Sequence, residues 1–443
     1  MILFPLWRIG WDGGDGMTIH VVTAGQTLYA IGELYGVAPG LIARYNNLSA
    51  PYELAVGQSL VILKPKELYT VQEGDSLYSI AGQFGISPIQ LLQNNPNLRG
   101  GTNRLYPEQV LVISLQTEPL RSIQAYGYAY PWVDARILSG ILPYQSALAP
   151  FSYGLSASIE LLPLEDEALI QLARQYRCAP WMHLSTLTED GGFSSERASM
   201  LLASPARQQR LADQVMQTIR QKGYQGLDVD FEYVNPEYAD DYVSFAAQLR
   251  ERTQELGIPL IIALAPKTYA DQPGILYEGH NYRALGEQAD AVLLMTYEWG
   301  YSYGPPMAVS PLQAVRSVLD YAVTEIPPEK IFMGFPNYAY DWPLPFEAGS
   351  GRARVISHEM AVEMAVRYRV EIQYDEASAT PYFFYQSEDG RVHEVWFEDA
   401  RSTQAKLLLI QEYGLRGVGY WNDMRSFVQG FSVQNALYTL QRL

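Results

Sequence analysis

The chain has 443 residues, is 48% hydrophobic and carries a formal net charge of −17. That length allows two or three domains with a sizeable core, the excess of acid repels nucleic acid, and no apolar run is long enough to span a membrane. Cys178 is the single cysteine, which excludes an intrachain disulfide; within Arg177-Cys178-Ala179-Pro180-Trp181 it reads as a small buried hydrophobe. Residues 1–17 are expected to form a flexible N-terminal extension. The run from Met1 to Arg8 lacks the basic and long apolar regions of a secretory signal, Asp12 to Gly16 is glycine-rich, and Met17 is a second candidate start.

Two repeats follow. The run from His20 through Gly25, Thr27, Leu28 and Ile31 aligns with that from Tyr69 through Gly74, Ser76, Leu77 and Ile80; Gly36 then matches Gly85, Pro39 matches Pro88 and Asn46 matches Asn95. Each unit reads as βααβ. Thr27 and Ser76 are placed to cap the first helix, and Leu28/Ile31 and Leu77/Ile80 lie on its inner face. Pro39 and Pro88 suit the first turn of the second helix, which ends at Asn46-Asn47 or Asn94-Asn95. The units, residues 18–64 and 67–115, resemble LysM domains. That resemblance implies binding of N-acetylglucosamine-containing glycans, peptidoglycan or chitin, through the loops Ala24–Tyr29, Asn46–Leu48, Glu73–Tyr78 and Asn95–Leu98. Gly25, Thr27, Leu28 and Asn46, with Gly74, Ser76, Leu77 and Asn95, are the candidate contacts. For any single one of them building the turn is the better reading, and for the groove as a whole glycan binding is. Two modules in tandem raise the effective concentration of whatever is attached at a polymer.

From residue 121 to 443 apolar strands alternate with helices. Eight strands are expected: Ser122–Tyr126, Leu148–Tyr153, Ala179–Leu184, Gly226–Phe231, Leu260–Ala265, Ala291–Thr296, Ile331–Phe335 and Gly417–Trp421. Helical patterns fall between them at Leu164–Tyr176, Pro205–Lys222, Pro236–Leu256, Asn281–Gln288 and Pro311–Thr324. This is α/β patterning that fits a (β/α)₈ TIM barrel, whose site lies at the C-terminal ends of the strands. Residues 338–400 break the rhythm with a helix at His358–Arg369 and antiparallel strand patterns at Val370–Tyr374, Tyr382–Gln386 and Val392–Phe397. They read as an α+β insertion between the seventh and eighth strands, after which Ser402–Tyr413 supplies the last helix before the final strand.

The fourth strand carries the chemistry. In Gly226-Leu227-Asp228-Val229-Asp230-Phe231-Glu232 side chains alternate, so three carboxylates share one face. On a strand buried on both faces they repel one another, and one of them should hold its proton near neutral pH, as a general acid requires. A row of acids facing a water-filled rim fits the spacing too. The run from Tyr224 to Glu232 resembles the active-site signature of glycoside hydrolase family 18, the chitinase-like glycosidases, with Gln225 where the family has its first Asp. The resemblance implies Glu232 as proton donor, Asp230 as the acid that orients the substrate's acetamido group and Asp228 behind it. It further implies Tyr297, in Met295-Thr296-Tyr297-Glu298, as a hydrogen-bond donor to that group, and Trp421 as the floor under the reacting sugar. The glycosidase it points to is retaining and substrate-assisted, without cofactor. Gln225 cannot ionise, which opens the outer end of any charge relay and leaves the pH optimum undetermined. Tyr126 and Asn337, at the ends of the first and seventh strands, are further candidates for the sugar pocket, with packing as the alternative. Asp399 reads as a helix N-cap and Glu398 as a residue able to reach the cleft. The histidines His20, His183, His280, His358 and His393 show no metal-ligand spacing, so no metal is expected.

Tandem LysM-like units joined to such a barrel resemble the cortex-associated peptidoglycan hydrolases of endospore-forming bacteria. On that resemblance the chain is expected as a monomeric N-acetylglucosaminidase of the spore coat or cortex. A chitinase, a non-catalytic lectin and a coat structural protein remain as other readings.

Overall fold

The computed structural model describes residues 16–98, 104–349 and 352–443; most of the expected N-terminal extension lies outside them. Met17 does not belong to such an extension. It opens strand β1 (Met17–Val21), faces Leu63 in the antiparallel pair with β2 (Ser59–Leu63), and is buried. Helices α1 (Leu28–Tyr35) and α2 (Pro39–Tyr45) complete the first module. The second repeats it with β3 (Pro65–Thr70), α3 (Leu77–Gln83), α4 (Pro88–Asn94) and β4 (Val110–Leu115). Thr27 accepts a hydrogen bond from the Ala30 N–H, and Ser76 forms a reciprocal capping box with Ser79.

The barrel strands are β5 (Arg121–Ala129), β6 (Ala147–Pro150), β7 (Ala179–Pro180), β8 (Met182–Ser185), β9 (Leu227–Asp230), β10 (Leu260–Leu264), β11 (Ala291–Leu294) and β12 (Ile331–Pro336). After the insertion, β18 (Gly417–Trp421) completes the set. Neighbours run β7-β6-β5-β18-β12-β11-β10-β9-β8, all parallel. β7 and β8 are two halves of one strand interrupted at Trp181. One half pairs with β6 and the other with β9, so the eight-stranded barrel closes there. Trp181 packs inside against Tyr126 and Phe332, and a Cβ on Gly226 would meet its ring at 2.4 Å. Glycine at 226 is therefore what lets the indole in.

The helices around the barrel are α5 (Ala135–Ile141), α6 (Glu167–Gln175), α7 (Ser195–Leu202), α8 (Pro205–Lys222), α9 (Ala239–Glu255), α10 (Tyr282–Gln288) and α11 (Leu312–Glu325). Their inner faces and the outward residues of the strands, Leu227 and Val229 among them, form the main core. The insertion is a five-stranded antiparallel sheet in the order β14 (Arg354–Ile356), β13 (Ala339–Pro343), β17 (Val392–Trp396), β16 (Thr380–Gln386), β15 (Gln373–Asp375), with α12 (His358–Tyr368) on one face. The sequence pattern does not show β13 and β14, because β13 pairs with β17 at a distance of 50 to 56 residues and with β14 only across a loop. Helices α13 (Ala400–Glu412) and α14 (Val428–Leu437) follow, and β19 (Tyr438–Leu440) adds to the start of β5.

Both N-terminal modules are docked on this body. The Gln429 amide donates to Asn46 Oδ1 and the Ser59 carbonyl, at 2.7 and 2.9 Å. Ile372 N–H donates to the Val56 carbonyl at 2.9 Å. In the second module Gln93 donates to the Pro143 carbonyl, and Asn435 bonds Asn94. Tyr45 and Val61 of the first module are part of the main core.

Candidate active site

β9 points Asp228 and Asp230 into the barrel. Asp228 is 0% exposed and Asp230 7%; Glu232 lies half-buried at the mouth, just past the strand's end. Asp228 and Asp230 therefore do not face a water-filled rim. His183, on β8 directly opposite Asp228, stands between the two. Its Nδ1–H donates to Asp228 Oδ2 at 2.9 Å, and its Nε2 is 3.7 Å from Asp230 Oδ2. Phe151 stacks on the imidazole at 4.9 Å. Among the described residues Asp230 Oδ1 has no protein partner.

Proton affinities follow from this packing. Burial, the main cause, pushes Asp230 up to about 6; His183 pulls it down and Asp228 pushes it further up. Glu232 is held well above the ordinary glutamate range, first by burial and then by the charges of Asp230 and Glu298. It keeps its proton where a free glutamate has lost it, which is the property of a general acid. Tyr297 is raised well above its ordinary value by burial and by Asp230, Glu232, Glu298 and Asp228. Its hydroxyl remains a donor facing the acids.

Four contacts fix the geometry. His280 accepts from the Ala265 N–H at Nδ1, so its Nε2–H donates to the Phe231 carbonyl at 3.0 Å and pins the peptide before Glu232. Burial pulls this histidine down to about 4, so it stays neutral. Gly334 on β12 gives the Tyr297 ring its place: a Cβ there would meet Tyr297 at 2.7 Å and the Leu294 carbonyl at 2.5 Å. Glu298 accepts hydrogen bonds from Tyr338 and Tyr340 of the insertion. Tyr297 and Trp421 both pack on the Tyr338, Tyr340 and Trp342 cluster, which makes the insertion a wall of the cleft. Beside Glu232 a cavity of about 300 Å³ is lined by Tyr233, Tyr277, Tyr297, Trp299 and Tyr301.

The structure thus brings Asp228, Asp230, Glu232, Tyr297 and Trp421 to one end of the barrel. His183 and His280 join them, and neither was singled out from sequence. The signal for His183 was its inward position on the neighbouring strand, legible only once the register is known. Other candidates go elsewhere. Tyr126 is wholly buried inside the barrel, bonded to the Tyr128 hydroxyl at 2.9 Å; it is Tyr128, one inward position higher, that meets His183 and Trp421. Asn337 is buried and its amide donates to the carbonyls of Asn422 and Arg425, which ties the seventh strand to the eighth. Gln225 is exposed at the entry of β9, the opposite end from Glu232, so it does not bear on the acid row.

Glu398 does not reach the cleft. It is 2% exposed and paired with Lys406 at 2.6 and 2.8 Å, because the capping box of Asp399 with Ser402 turns the chain back onto α13. Lys406→Met leaves that carboxylate buried without its counter-ion, an expected loss of about 3–5 kcal/mol. Urea unfolding of the variant checks this; wild-type stability would mean that the carboxylate has another partner.

The module candidates divide similarly. Leu28 and Leu77 are core residues. Asn46 and Asn95 are matched clamps whose amides bond Ile42 and Val61 in one module and Leu91 and Val112 in the other. Gly25 and Gly74 take φ of 82° and 89° in exposed turns, where only glycine is at ease, beside the caps Thr27 and Ser76. The exposed rings beside these turns are Tyr29 and Tyr78, in the first turns of α1 and α3, 64% and 76% accessible.

Comparison with known proteins agrees with this architecture. The family model for glycosyl hydrolases family 18 matches residues 165–424, and that for the LysM domain matches 20–63 and 69–114. The cortical fragment-lytic enzyme of Bacillus subtilis (strain 168) is 38% identical over 436 residues, covering 94% of this chain and 96% of that protein; that of Bacillus anthracis is 34% identical over 431 residues, covering 96% and 99%. The crystal structure of the Bacillus megaterium QM B1551 spore cortex-lytic enzyme SleL superposes with a TM-score of 0.82 at 35% identity, over 97% of this chain and all of that one. The barrel, its carboxylate row and the two modules together make this chain a member of glycoside hydrolase family 18 with tandem LysM domains.

Proposed function

We propose that this chain is an N-acetylglucosaminidase that cleaves spore-cortex peptidoglycan or its fragments with retention, using the substrate's own 2-acetamido group as nucleophile. The observation that carries the reading is Glu232 at the mouth, held well above the ordinary glutamate range by burial and neighbouring charge, beside the buried Asp230–His183–Asp228 array. Glu232 gives its proton to the leaving glycosidic oxygen while the acetamido oxygen attacks the anomeric carbon. Asp230, whose Oδ1 is unpartnered, accepts the acetamido N–H and offsets the positive charge of the oxazolinium ring. Tyr297 donates to the acetamido group and Trp421 lies under the sugar. Glu232, now ionised, takes a proton from water as that water opens the ring. Family 18 is the known exception to the two-carboxylate retaining scheme.

Cortex as substrate is supported by relatives that match nearly the whole chain and are named for cortical fragments and cortex lysis; the same relatives support residence in the spore. The modules, with Tyr29 and Tyr78 exposed, would hold the enzyme on glycan. Mass spectrometry of products from purified cortex peptidoglycan and from chitin tests the proposal. Fragments ending in reducing N-acetylglucosamine are expected from cortex, and none with Glu232→Gln. Chitin products alone would make the protein a chitinase. No products from either, with glycan binding retained, would make it a binding protein.

A further inference from the structure

The loop after β18 sinks an acid into the molecule two residues past Trp421. Asp423 is wholly buried, and so is Gln145, which precedes β6. The Gln145 amide donates to Asp423 Oδ2 at 2.7 Å. Glycine at 127 makes the room: a Cβ there would lie 2.1 Å from Asp423 Oδ2 and 2.4 Å from Gln145 Nε2. Among the described residues no cation acts on Asp423. If the carboxyl is ionised, two buried acceptors, Asp423 Oδ1 and Gln145 Oε1, both lack a donor among the described residues. Buried polar atoms left in that state are costly. A proton on Oδ1 supplies the missing donor, and acid and amide then pair head to tail, each giving one hydrogen bond and accepting one.

The surroundings favour that proton. Burial pushes Asp423 up to about 8, against the smaller pull of the Gln145 amide. Tyr420 on β18 and Cys178 before β7 both feel its charge, and burial raises both, so they stay neutral. On the C-terminal segment Arg442 gives its guanidinium to the carbonyls of Leu142, Pro143 and Gln145. On α5 Arg136 is paired with Asp134 at the surface. The pair also has a mechanical consequence. The Asp423 N–H donates to the Tyr128 carbonyl at 2.7 Å, and Asn337 holds the carbonyls of Asn422 and Arg425. Those bonds fix the loop's backbone; the Asp423 side chain ties it to the second strand through Gln145. Trp421 stands at the start of this loop, against Tyr128 and Phe151 at 5.6 and 4.8 Å.

We propose that Asp423 is a positioning residue that works as a neutral acid: its Oδ1–H donates to Gln145 Oε1, and the doubly bonded pair keeps the Trp421 ring under the sugar. As pH rises through about 8 the proton leaves, the two oxygens repel, and the floor loosens. The effect falls on substrate binding and not on proton donation by Glu232. The inference rests on the proposed place of Trp421 under the reacting sugar.

Asp423→Asn is the discriminating variant, because its amide presents the same two hydrogen bonds and has no proton to lose. Infrared difference spectra of the full-length wild type against this variant check the proton without substrate. The carbonyl band of a neutral acid is expected at neutral pH, replaced by carboxylate bands as pH passes about 8. Steady-state kinetics on a soluble tetrasaccharide cut from cortex peptidoglycan check the positioning. Wild-type KM is expected to rise about fivefold between about pH 7 and about pH 9, the scale of one lost hydrogen bond. In Asp423→Asn it should stay within about twofold of the neutral wild-type value, while kcat falls with pH in both as Glu232 loses its proton. Asp423→Leu, which can make neither bond, should show the raised KM at every pH. Carboxylate bands at neutral pH overturn the inference. So does the same KM profile in wild type and Asp423→Asn, which leaves the reading of the site intact. Failure of the wild type to cleave the tetrasaccharide overturns both.

Discussion

Glu232→Gln is expected to lower kcat by about 10²–10⁴ while glycan affinity stays within a few-fold of wild type. The amide has the shape of the acid and no proton to give, so the loss falls on the chemical step. Burial and the charges of Asp230 and Glu298 hold Glu232 well above the ordinary range. The sign of the pH dependence follows: the active form is protonated, so kcat/KM falls as pH rises through this raised pKa, later than it would for a free glutamate. Reducing-end release, with binding measured separately on the inactive variant, checks both halves. Turnover within tenfold of wild type would remove Glu232 from the reaction.

Asp230→Asn should cost about 10²–10³ in kcat, the scale set by loss of one preorganised group at developing charge. Asparagine can still meet the acetamido group but brings no negative charge to the oxazolinium ring. Two shifts in the pH profile distinguish this from mere misfolding. Asp230 lies at about 6, so an acid limb that follows its protonation is expected in the wild type and should vanish in the variant. Its charge also raises Glu232; removing it lets Glu232 lose its proton more readily, and the alkaline limb moves to lower pH. An unchanged alkaline limb would mean that the two groups do not interact.

The acid row was legible because period-two alternation is a local property: once the strand is recognised, Asp228, Asp230 and Glu232 must share a face whatever surrounds them. The same holds for the caps at Thr27, Ser76 and Asp399, which depend on residues two or three positions on, and for the matched Asn46 and Asn95, whose repetition marked them before their shared clamp was known. The spacing of strands and helices likewise carried the barrel and its insertion. Tertiary structure alone decided that His183 stands between two of the acids and that His280 pins the peptide before the third. Those contacts depend on strand register and on loops converging at the mouth, and His183 is 45 residues from Asp228. It also decided that Tyr126 and Glu398 are buried away from the cleft, because strand extent and a turned-back cap set their direction. And it decided that the modules are docked on the barrel's flank, since Gln429 meets Asn46 across 383 residues of chain. Sequence fixes what neighbouring residues impose on one another; closing the barrel chooses which distant side chains share a desolvated site, and that choice sets the proton affinities.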